Sequence, residues 1–314
     1  MVSVVICTYN RAESLRRALI SLSAMSVPAD ISWEVLVVDN NSTDGTQGAA
    51  EAFARDARMT VRYVFAERQG LNHARNAGVQ AAKGELIFFI DDDVEVTRTW
   101  LPEMTKAFGL NPVVGVGGRV LIKEDLHRPA WWHAEYDGAL GKFDAGNAII
   151  ISDDTYASII GIGANLAFKR SVFEKYGGFR PDLDRRKRKL LMGGDVEFYQ
   201  RIKKAGELTM YYPAAIVYHC PDSIRMTKLY LRRWYFRIGE WGAQKLDPGA
   251  GTLWMVPRWK YRQALEQLLK TFTLSLTRRR REAFYHELQF LSLLGYFFGA
   301  AKNSVKRRSF PAAP

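Results

Sequence analysis

Three consecutive aspartates, Asp91, Asp92 and Asp93, are the residues of this chain with the clearest capacity for chemistry. Neighbouring carboxylates repel one another unless a cation lies between them, and Mg²⁺ and Mn²⁺ prefer hard oxygen ligands of this kind. In an extended chain Asp91 and Asp93 point to one side and Asp92 to the other. The run therefore predicts a divalent cation site that binds a substrate's phosphates. The alternative is a solvated loop that caps the next helix.

The segment before these aspartates indicates where they lie. Residues 85–90 form an apolar, β-prone run, the fourth of a series that begins at residues 2–7, 33–38 and 60–65. Amphipathic helical patterns, such as the one at residues 15–22, separate these runs. This alternation predicts an α/β fold with a mostly parallel, Rossmann-like sheet flanked by helices. Ligands bind at the carboxyl ends of the strands in such sheets.

Polar side chains also follow the first two predicted strands, so three polar clusters share one edge of the sheet. The two further clusters consist of Thr8, Tyr9, Asn10 and Arg11 and of Asp39, Asn40 and Asn41. The sequence has no phosphate-binding glycine loop, because residues 115–120 lack the last glycine of GxGxxG and no GxxxxGK[ST] motif occurs. Phosphates bound at this edge would need another source of positive charge, such as a metal ion.

Asp195, which follows two glycines, is a candidate general base. In a helix that begins there, Phe198, Tyr199 and Ile202 share its face, so the carboxylate would point inward. A helix N-terminus would also keep Asp195 ionised. Glu197 falls off this face and would orient a neighbour or meet solvent. The alternative reading of Asp195 is an N-cap without a chemical role.

Residues 1–222 resemble the family 2 glycosyltransferases, nucleotide-sugar-dependent enzymes of the GT-A fold. Six segments occur in the family's order: residues 4–11, 37–44, 70–78, 89–93, 163–165 with 173–179, and 193–197. The resemblance implies inverting, metal-dependent transfer of a sugar from a nucleotide-diphosphate sugar, with UDP favoured. The acceptor would be a hydroxyl of a saccharide or of a lipid-linked acceptor in the synthesis of cell-surface polysaccharide or glycolipid.

The resemblance also implies roles for matching residues. Asp195 would be the catalytic base, and Mg²⁺ or Mn²⁺ would bind Asp91, Asp93 and His219. The donor nucleotide would contact Thr8, Tyr9, Asn10, Arg11, Asp39, Asn41, Arg75, Asp91 and Asp92. Candidate acceptor contacts are Trp131, Trp132, Asn165, Gly194 and Glu197. Independently of the resemblance, the paired tryptophans could form an acceptor wall, and core or domain packing is an equally common role for such a pair. For His219 a structural role is the alternative, and Gly194 departs from the family, which usually has an acid at that position.

The charge of the chain is unevenly distributed. Residues 1–222 contain 27 Lys and Arg against 28 Asp and Glu, whereas residues 223–314 contain 18 against 5. We therefore expect a catalytic domain at 1–222, with a nucleotide-sugar half to about 118 and an acceptor half at 119–222. A basic, aromatic-rich helical extension would follow at 223–314. Five consecutive cations at 185–189 could form a lid near Asp195, although a solvated loop is the simpler reading.

The basic extension interleaves aromatic residues with cations, which is typical of elements that lie in an anionic membrane interface. Nucleic-acid binding is the rival interpretation, which the long apolar stretches disfavour, and a helical pair packed on the protein or on a second copy is a third. The longest uncharged run rich in large apolar residues, 288–301, is too short to span a bilayer. Without a disulfide framework, Cys7 and Cys220 favour a cytoplasmic enzyme, peripheral on the inner face of the plasma membrane.

Two other functions are compatible with the residues alone. A nucleotidyltransferase could use a related sheet, but it would normally show a glycine-rich, basic loop where this chain has Thr8, Tyr9, Asn10 and Arg11. A non-catalytic membrane-binding or nucleic-acid-binding protein could retain the fold, as Gly194 would permit. The presence of both Asp93 and Asp195 argues against such a loss of activity.

Overall fold

The computed structural model describes residues 1–123, 126–152, 160–183, 194–243, 252–253 and 256–309. The described chain divides into two compact units. The first unit comprises described residues of 1–126, 140–183 and 194–221, and the second comprises 127–139 and those from 222 onward. The sequence analysis assigned 127–139 to the first domain. The structure groups this segment with the C-terminal helices, because its aromatic side chains pack on them.

Four parallel strands begin the first unit: β1 (Val2–Thr8), β2 (Trp33–Asp39), β3 (Thr60–Phe65) and β4 (Leu86–Asp91). They lie side by side in the order β3-β2-β1-β4. Their register places Thr8 beside Asp39 and Cys7 beside Asp91. The carboxyl ends of β1, β2 and β4 therefore meet at one edge, as the sequence predicts.

Five further strands of the described chain extend the sheet to nine: β5 (Val94–Val96), β6 (Gly115–Ile122), β7 (Ile150–Ser152), β8 (Leu166–Lys169) and β9 (Thr209–His219). Strand β8 runs antiparallel to both β4 and β6, which it joins. Strand β9 is parallel to β6 and pairs antiparallel with β5 and β7. The sheet is thus mixed beyond β4, whereas its first four strands are all parallel.

Among the described residues, six helices belong to the first unit: α1 (Ala12–Ser23), α2 (Thr46–Asp56), α3 (Leu71–Ala81), α4 (Trp100–Leu110), α5 (Arg170–Tyr176) and α6 (Gly194–Lys204). They enclose two apolar cores, and neighbouring residues of one strand contribute to different cores. Val4 and Phe88 belong to one core, and Val5 and Phe89 to the other. Burial of both sheet faces explains why these strands are apolar at nearly every position.

A three-residue offset separates two parts of the pairing between β6 and β9. Gly118 pairs with Tyr212, but the next residue, Arg119, pairs with Ile216. Asn165, which is fully buried, holds this irregularity together. Its side-chain amide donates to the carbonyls of Arg119 (3.0 Å) and Ala215 (2.8 Å). The offset sets the register of the last residues of β9, including His219.

The second unit, as far as the structure describes it, contains three helices, α7 (Lys228–Gly242), α8 (Arg258–Leu276) and α9 (Arg280–Ser309). A two-stranded antiparallel ribbon of β10 (Thr252–Leu253) and β11 (Val256–Pro257) precedes α8. None of the helices in the described part of the chain combines the length and the apolar character that crossing a bilayer requires.

An aromatic cluster joins the segment 127–139 to these helices. Trp131 and Tyr136 each pack edge-to-face on Phe284 of α9, and Trp132 packs on Tyr136. Arg281 donates a hydrogen bond to the carbonyl of Trp132. Such edge-to-face contacts add to the free energy gained by burying the rings. Trp132 is therefore a buried residue of the second unit, and Trp131, which is half-buried, packs beside it.

Candidate active site

The carboxyl ends of β1 and β2 form the first part of the site. Asp39, almost fully buried, accepts hydrogen bonds from the Tyr63 hydroxyl (2.8 Å) and from the Ser42 amide (2.9 Å). Burial is the main reason that the pKa of Tyr63 is raised, with its bond to Asp39 adding to the effect. Tyr63 therefore stays protonated as a donor and fixes the Asp39 carboxylate at this edge.

The loops after these two strands hold each other in place. Asn10 and Asn41 adopt the left-handed backbone conformation, which asparagine tolerates better than most residues. The Asn10 side-chain oxygen accepts a hydrogen bond from the Thr43 amide at 2.7 Å. Tyr9 and Asn41 are exposed at the same edge. These contacts bring the first two predicted polar clusters together.

Arg11 connects the first cluster to the aspartate run. Its Nη1 atom lies 3.0 Å from Oδ1 of Asp92 and 2.8 Å from Oδ2 of Asp93. Thr8 donates a further hydrogen bond, of 2.8 Å, to Asp92. Burial and the neighbouring Asp93 charge raise the pKa of Asp92 to about 7, against the opposing effects of Arg11 and Thr8. Asp92 therefore forms hydrogen bonds with Thr8 and Arg11 in the protein interior.

Asp91, Asp93 and His219 form a possible metal site. Each offers one ligand atom, and these atoms all lie within 4.8 Å of one another. The pairing of Val94 with His219 between β5 and β9 brings the histidine beside the aspartate run. The Nε2 atom of His219 lies 3.1 Å from Oδ1 of Asp93. The structure thus places His219 at the aspartates, where sequence reasoning left a structural role open.

The donor set of this cluster suits a divalent cation. Nδ1 of His219 is buried and has no hydrogen-bond partner among the described residues. Carboxylates are ligands that both Mn²⁺ and Mg²⁺ accept, and imidazole binds transition-metal ions; water or phosphate oxygens would complete the coordination. The residues present therefore fit a metal ion that would contact a diphosphate at this edge of the sheet.

Asp195 lies in the first turn of α6. This helix buries Phe198, Tyr199 and Ile202, the residues predicted to share a face with Asp195. The backbone amide of Gly163 donates a 2.9 Å hydrogen bond to Oδ2 of Asp195. The Oδ1 atom accepts a further hydrogen bond, of 3.3 Å, from the Val196 amide. Asp195 is partly buried, so part of its side chain is accessible to a substrate.

Arg75 lies between Asp195 and the metal cluster. A Cβ atom at Gly163 would be 2.0 Å from Nη2 of Arg75 and 3.3 Å from Oδ2 of Asp195, so any side chain there would displace the guanidinium. The same guanidinium lies 3.9 Å from Oδ1 of Asp91 and over the ring of Phe179. One buried cation therefore sits close to both the candidate base and a candidate metal ligand.

Gly194 has a packing reason to lack a side chain. A Cβ atom at this position would lie 2.5 Å from Nδ2 of Asn72. That amide donates a 2.8 Å hydrogen bond to the carbonyl of Arg180, which fixes it against the start of α6. An acidic residue before Asp195 would require Asn72 to move.

Three other candidate residues make packing or backbone contacts. Asn165 is fully buried at the β6–β9 offset, where its amide bonds backbone carbonyls and the Trp100 indole. These bonds occupy its side chain and do not fit the acceptor contact predicted for it. Trp132 is buried against Tyr136, whereas Trp131 is half-buried and packs on Phe284. Acceptor contact by the two tryptophans stays a prediction.

The structure describes Glu197 but not the basic run at 185–189. Glu197 pairs with Arg201 one turn later at 3.1 Å, which fits the orienting role considered for it. The basic run at 185–189 lies outside the described residues. Sequence reasoning missed Tyr63 and the contact of Gly163 with Asp195, because strand pairing and a backbone amide leave no side-chain pattern.

Comparison with known proteins identifies the family. The family model "Glycosyl transferase family 2" matches residues 3–177, more than half of the chain. This protein is a family 2 glycosyltransferase. The match contains the polar ends of β1, β2 and β4, Arg75 and Gly163. It ends before Asp195 and His219, so the roles of those two residues rest on their geometry.

Curated relatives of this glycosyltransferase are similarly named. Glycosyltransferase AglE of Haloferax volcanii is 28% identical over 65% of this chain and 62% of its own length. A glucosyl-dolichyl phosphate glucuronosyltransferase of the same organism is 28% identical over 69% of this chain and 68% of its own. Succinoglycan biosynthesis protein ExoM of Rhizobium meliloti is 24% identical over 76% and 73%. The chain thus spans about two thirds of the length of these relatives.

Solved structures with a similar fold are also glycosyltransferases. The mannosyltransferase PcManGT of Pyrobaculum calidifontis, in complex with GDP-Man and Mn²⁺, has a TM-score of 0.58 at 20% identity, covering all of this chain and 76% of that one. GalNAc-T7 with UDP, GalNAc and Mn²⁺ has a TM-score of 0.55 at 18% identity, covering 79% and 52%. At this identity the likeness shows the fold, which is the GT-A type that the sequence predicts.

Proposed function

We propose that this enzyme transfers a sugar, with inversion, from a nucleotide-diphosphate sugar to a hydroxyl of a saccharide or lipid-linked acceptor. One observation carries the proposal. Asp195, Arg75, Asp91, Asp93 and His219 form a continuous series of neighbours along the edge of the sheet. A base at one end and a metal site at the other are the two functions that such a displacement needs.

The base acts first in this mechanism. Asp195 accepts the proton of the acceptor hydroxyl as that oxygen attacks the anomeric carbon. The Gly163 amide holds the carboxylate in place for this step. Attack occurs on the face opposite the departing diphosphate, which gives inversion of configuration.

The leaving group collects negative charge as the glycosidic bond breaks. A divalent cation held by Asp91, Asp93 and His219 would supply Lewis-acid stabilisation of the departing diphosphate. Arg75 adds a buried positive charge next to Asp91. Arg11 neutralises Asp92 and Asp93 from the other side, which limits repulsion among the three carboxylates.

The nucleotide would bind over the ends of β1 and β2. Asp39 is held by Tyr63 and Ser42, and it is suited to accept a hydrogen bond from a base N–H such as that of uracil. Thr8 pairs with Asp39 in the register of β1 and β2, and Tyr9, Asn10 and Asn41 are exposed on the loops that follow these strands, where they would contact a UDP-sugar donor. Solved neighbours contain GDP-mannose or UDP with Mn²⁺, so Mn²⁺ is the first cation to test, before Mg²⁺.

The acceptor is proposed to be attached to a lipid in cell-surface polysaccharide or glycolipid synthesis. Support comes from a relative named for a dolichyl-phosphate-linked substrate and from another named for succinoglycan biosynthesis. The positive charge of residues 223–314 suits peripheral contact with an anionic membrane on its cytoplasmic face. The apolar stretches of the same segment favour lipid over nucleic acid as its partner.

A thermal-shift panel tests the donor site directly. The full chain is melted with UDP, GDP, dTDP or CMP, each with Mn²⁺, with Mg²⁺ or with EDTA. Ligand at one hundred times its Kd adds about 2.7 kcal/mol of stability, so binding raises Tm measurably. We expect a shift with UDP that EDTA removes. No shift with any nucleotide and metal would reject the proposed donor site.

A further inference from the structure

Helix α8 presents a stripe of large apolar side chains to solvent. Leu265, Leu269, Phe272 and Leu276 follow one another at intervals of four, three and four residues, which places them on one face. Each is between 55 and 69% exposed. Soluble surfaces carry isolated apolar residues, but a continuous apolar stripe indicates an interaction site.

The stripe is not the core face of this helix. A different face packs on α9, where Tyr261 stacks on Phe297 with ring centroids 5.0 Å apart and Ala264 is buried. Gln267 bonds His286 at 2.7 Å on the same side. The helix is therefore fixed within its unit through one face, and the apolar stripe remains for a partner.

The charge around the stripe identifies that partner's chemistry. Residues 258–282 contain eight Lys and Arg against two Asp and Glu. Arg258 and Arg262 lie exposed on α8, and four arginines at 278–281 follow its last turn. A second copy of this face would bring like charges together. A nucleic acid would satisfy the arginines but leave the leucines and the phenylalanine in water.

We infer that α8 lies along the surface of an anionic lipid membrane, with Leu265, Leu269, Phe272 and Leu276 inserted below the headgroups. The stripe is about 17 Å long along the helix axis, so it lies in the interface rather than across it. The flanking arginines then contact lipid phosphates. This inference deepens the membrane contact of the proposed function by naming the element that makes it. Its test does not depend on sugar transfer.

The test is flotation of the full chain with vesicles of phosphatidylcholine alone or with added phosphatidylglycerol. We compare the wild type with Phe272→Gln/Leu276→Gln, with Arg258→Gln/Arg262→Gln, and with the control Leu110→Gln. Leu110 is an exposed leucine on α4 in the other unit. Because the substituted side chains are exposed, all variants should keep the wild-type Tm.

The wild type and the control should float with the anionic vesicles. The apolar pair should bind at least about tenfold more weakly, because each buried apolar side chain is worth roughly a factor of ten. The arginine pair should bind more weakly at low salt and lose its difference from the wild type as salt screens the charges. Nucleotide-induced thermal shifts should be equal in all four proteins, which separates this result from a failure of the donor site.

Three results would overturn the inference. In the first, the wild type and the apolar pair bind anionic vesicles equally. In the second, no vesicle binds and light scattering shows a wild-type dimer that the apolar pair converts to a monomer, so that a second copy covers the stripe. In the third, the chain binds a fluorescent single-stranded DNA but no vesicle.

Discussion

The backbone amide of Gly163 donates a 2.9 Å hydrogen bond to Oδ2 of Asp195. This bond joins the loop before β8 to the first turn of α6, two elements far apart in the sequence. It orients the carboxylate through a backbone group. The series of neighbours from Asp195 to His219 begins at this contact.

The role of Asp195 as base predicts a specific separation of binding from turnover. Asp195→Asn should retain the Gly163 hydrogen bond and the metal-dependent rise in Tm on nucleotide binding. Its kcat should fall by a factor of about 10²–10⁴, because the amide cannot accept the proton. Transfer rates and thermal shifts measured on the same preparation give both quantities. A variant that transfers sugar at the wild-type rate would exclude this residue as the base.

A methyl group at Gly163 should displace Arg75 from the site. In Gly163→Ala the new Cβ would overlap Nη2 of Arg75, so the guanidinium must leave its position near Asp91. We expect a fall in kcat of about tenfold or more with a fall in Tm of a few degrees. Gly109→Ala is the matched control, since nothing lies within 4 Å of the place that its methyl group would take on α4. Equal activity of the two variants would mean that Arg75 has no part in transfer.

His219 should contribute to metal affinity. His219→Gln removes the imidazole from the cluster with Asp91 and Asp93, and we expect the Mn²⁺ concentration needed for the UDP thermal shift to rise about tenfold or more. EDTA should abolish the shift in the wild type. His127→Gln, which changes an exposed histidine of the second unit, should behave as the wild type does. Unchanged Mn²⁺ dependence in His219→Gln would assign the histidine a structural role.

A buried carboxylate away from the site predicts how stability depends on pH. Burial alone would raise the pKa of Glu34, but hydrogen bonds from Arg62, Ser3 and the Lys83 amide outweigh it and lower that pKa. A native pKa below the unfolded one means that the ionised group stabilises the fold above the unfolded pKa. This stabilisation is lost as the pH falls through the native pKa.

Glu34→Gln should therefore lower the free energy of unfolding by about 1–3 kcal/mol at neutral pH, and its difference from the wild type should shrink on acidification. Urea unfolding at several pH values measures both effects. Glu174→Gln, on an exposed position of α5, should show no such difference. A Glu34 effect that stays constant with pH would show that the native pKa is not lowered.

Asn165 is expected to affect stability. Asn165→Ala leaves the Arg119 and Ala215 carbonyls and the Trp100 indole without their partner, at a cost of about 3 kcal/mol. The control is Gln200→Ala, an exposed residue of α6. The KM for acceptor should be unchanged in the folded variant. A raised KM with unchanged Tm would instead return Asn165 to the acceptor site.

The sequence predicts those parts of the site that lie on continuous elements. Apolar strands fix the positions of Thr8, Asp39 and Asp91, because parallel strands end at the same edge of the sheet. The spacing of Phe198, Tyr199 and Ile202 on α6 likewise predicts the face on which Asp195 lies. These positions follow from local periodicity, which a single sequence records.

The remaining parts depend on contacts between distant segments. Pairing of β5 with β9 brings His219 to Asp93, and no local pattern specifies that pairing. Trp131 packs on Phe284, which is distant in the sequence. The local sequence of the two tryptophans is compatible with an exposed aromatic wall and with aromatic packing, so the structure was needed to show this contact.

The offset between β6 and β9 has a consequence for comparing this enzyme with its relatives. Gly118 and Arg119 are consecutive in β6, but their partners in β9, Tyr212 and Ile216, are separated by three extra residues. A relative without these three residues would carry its equivalent of His219 three positions earlier in the strand. An alignment without a gap here would therefore pair His219, a candidate metal ligand, with the wrong residue. Matching the residue opposite Val94 identifies the equivalent position correctly.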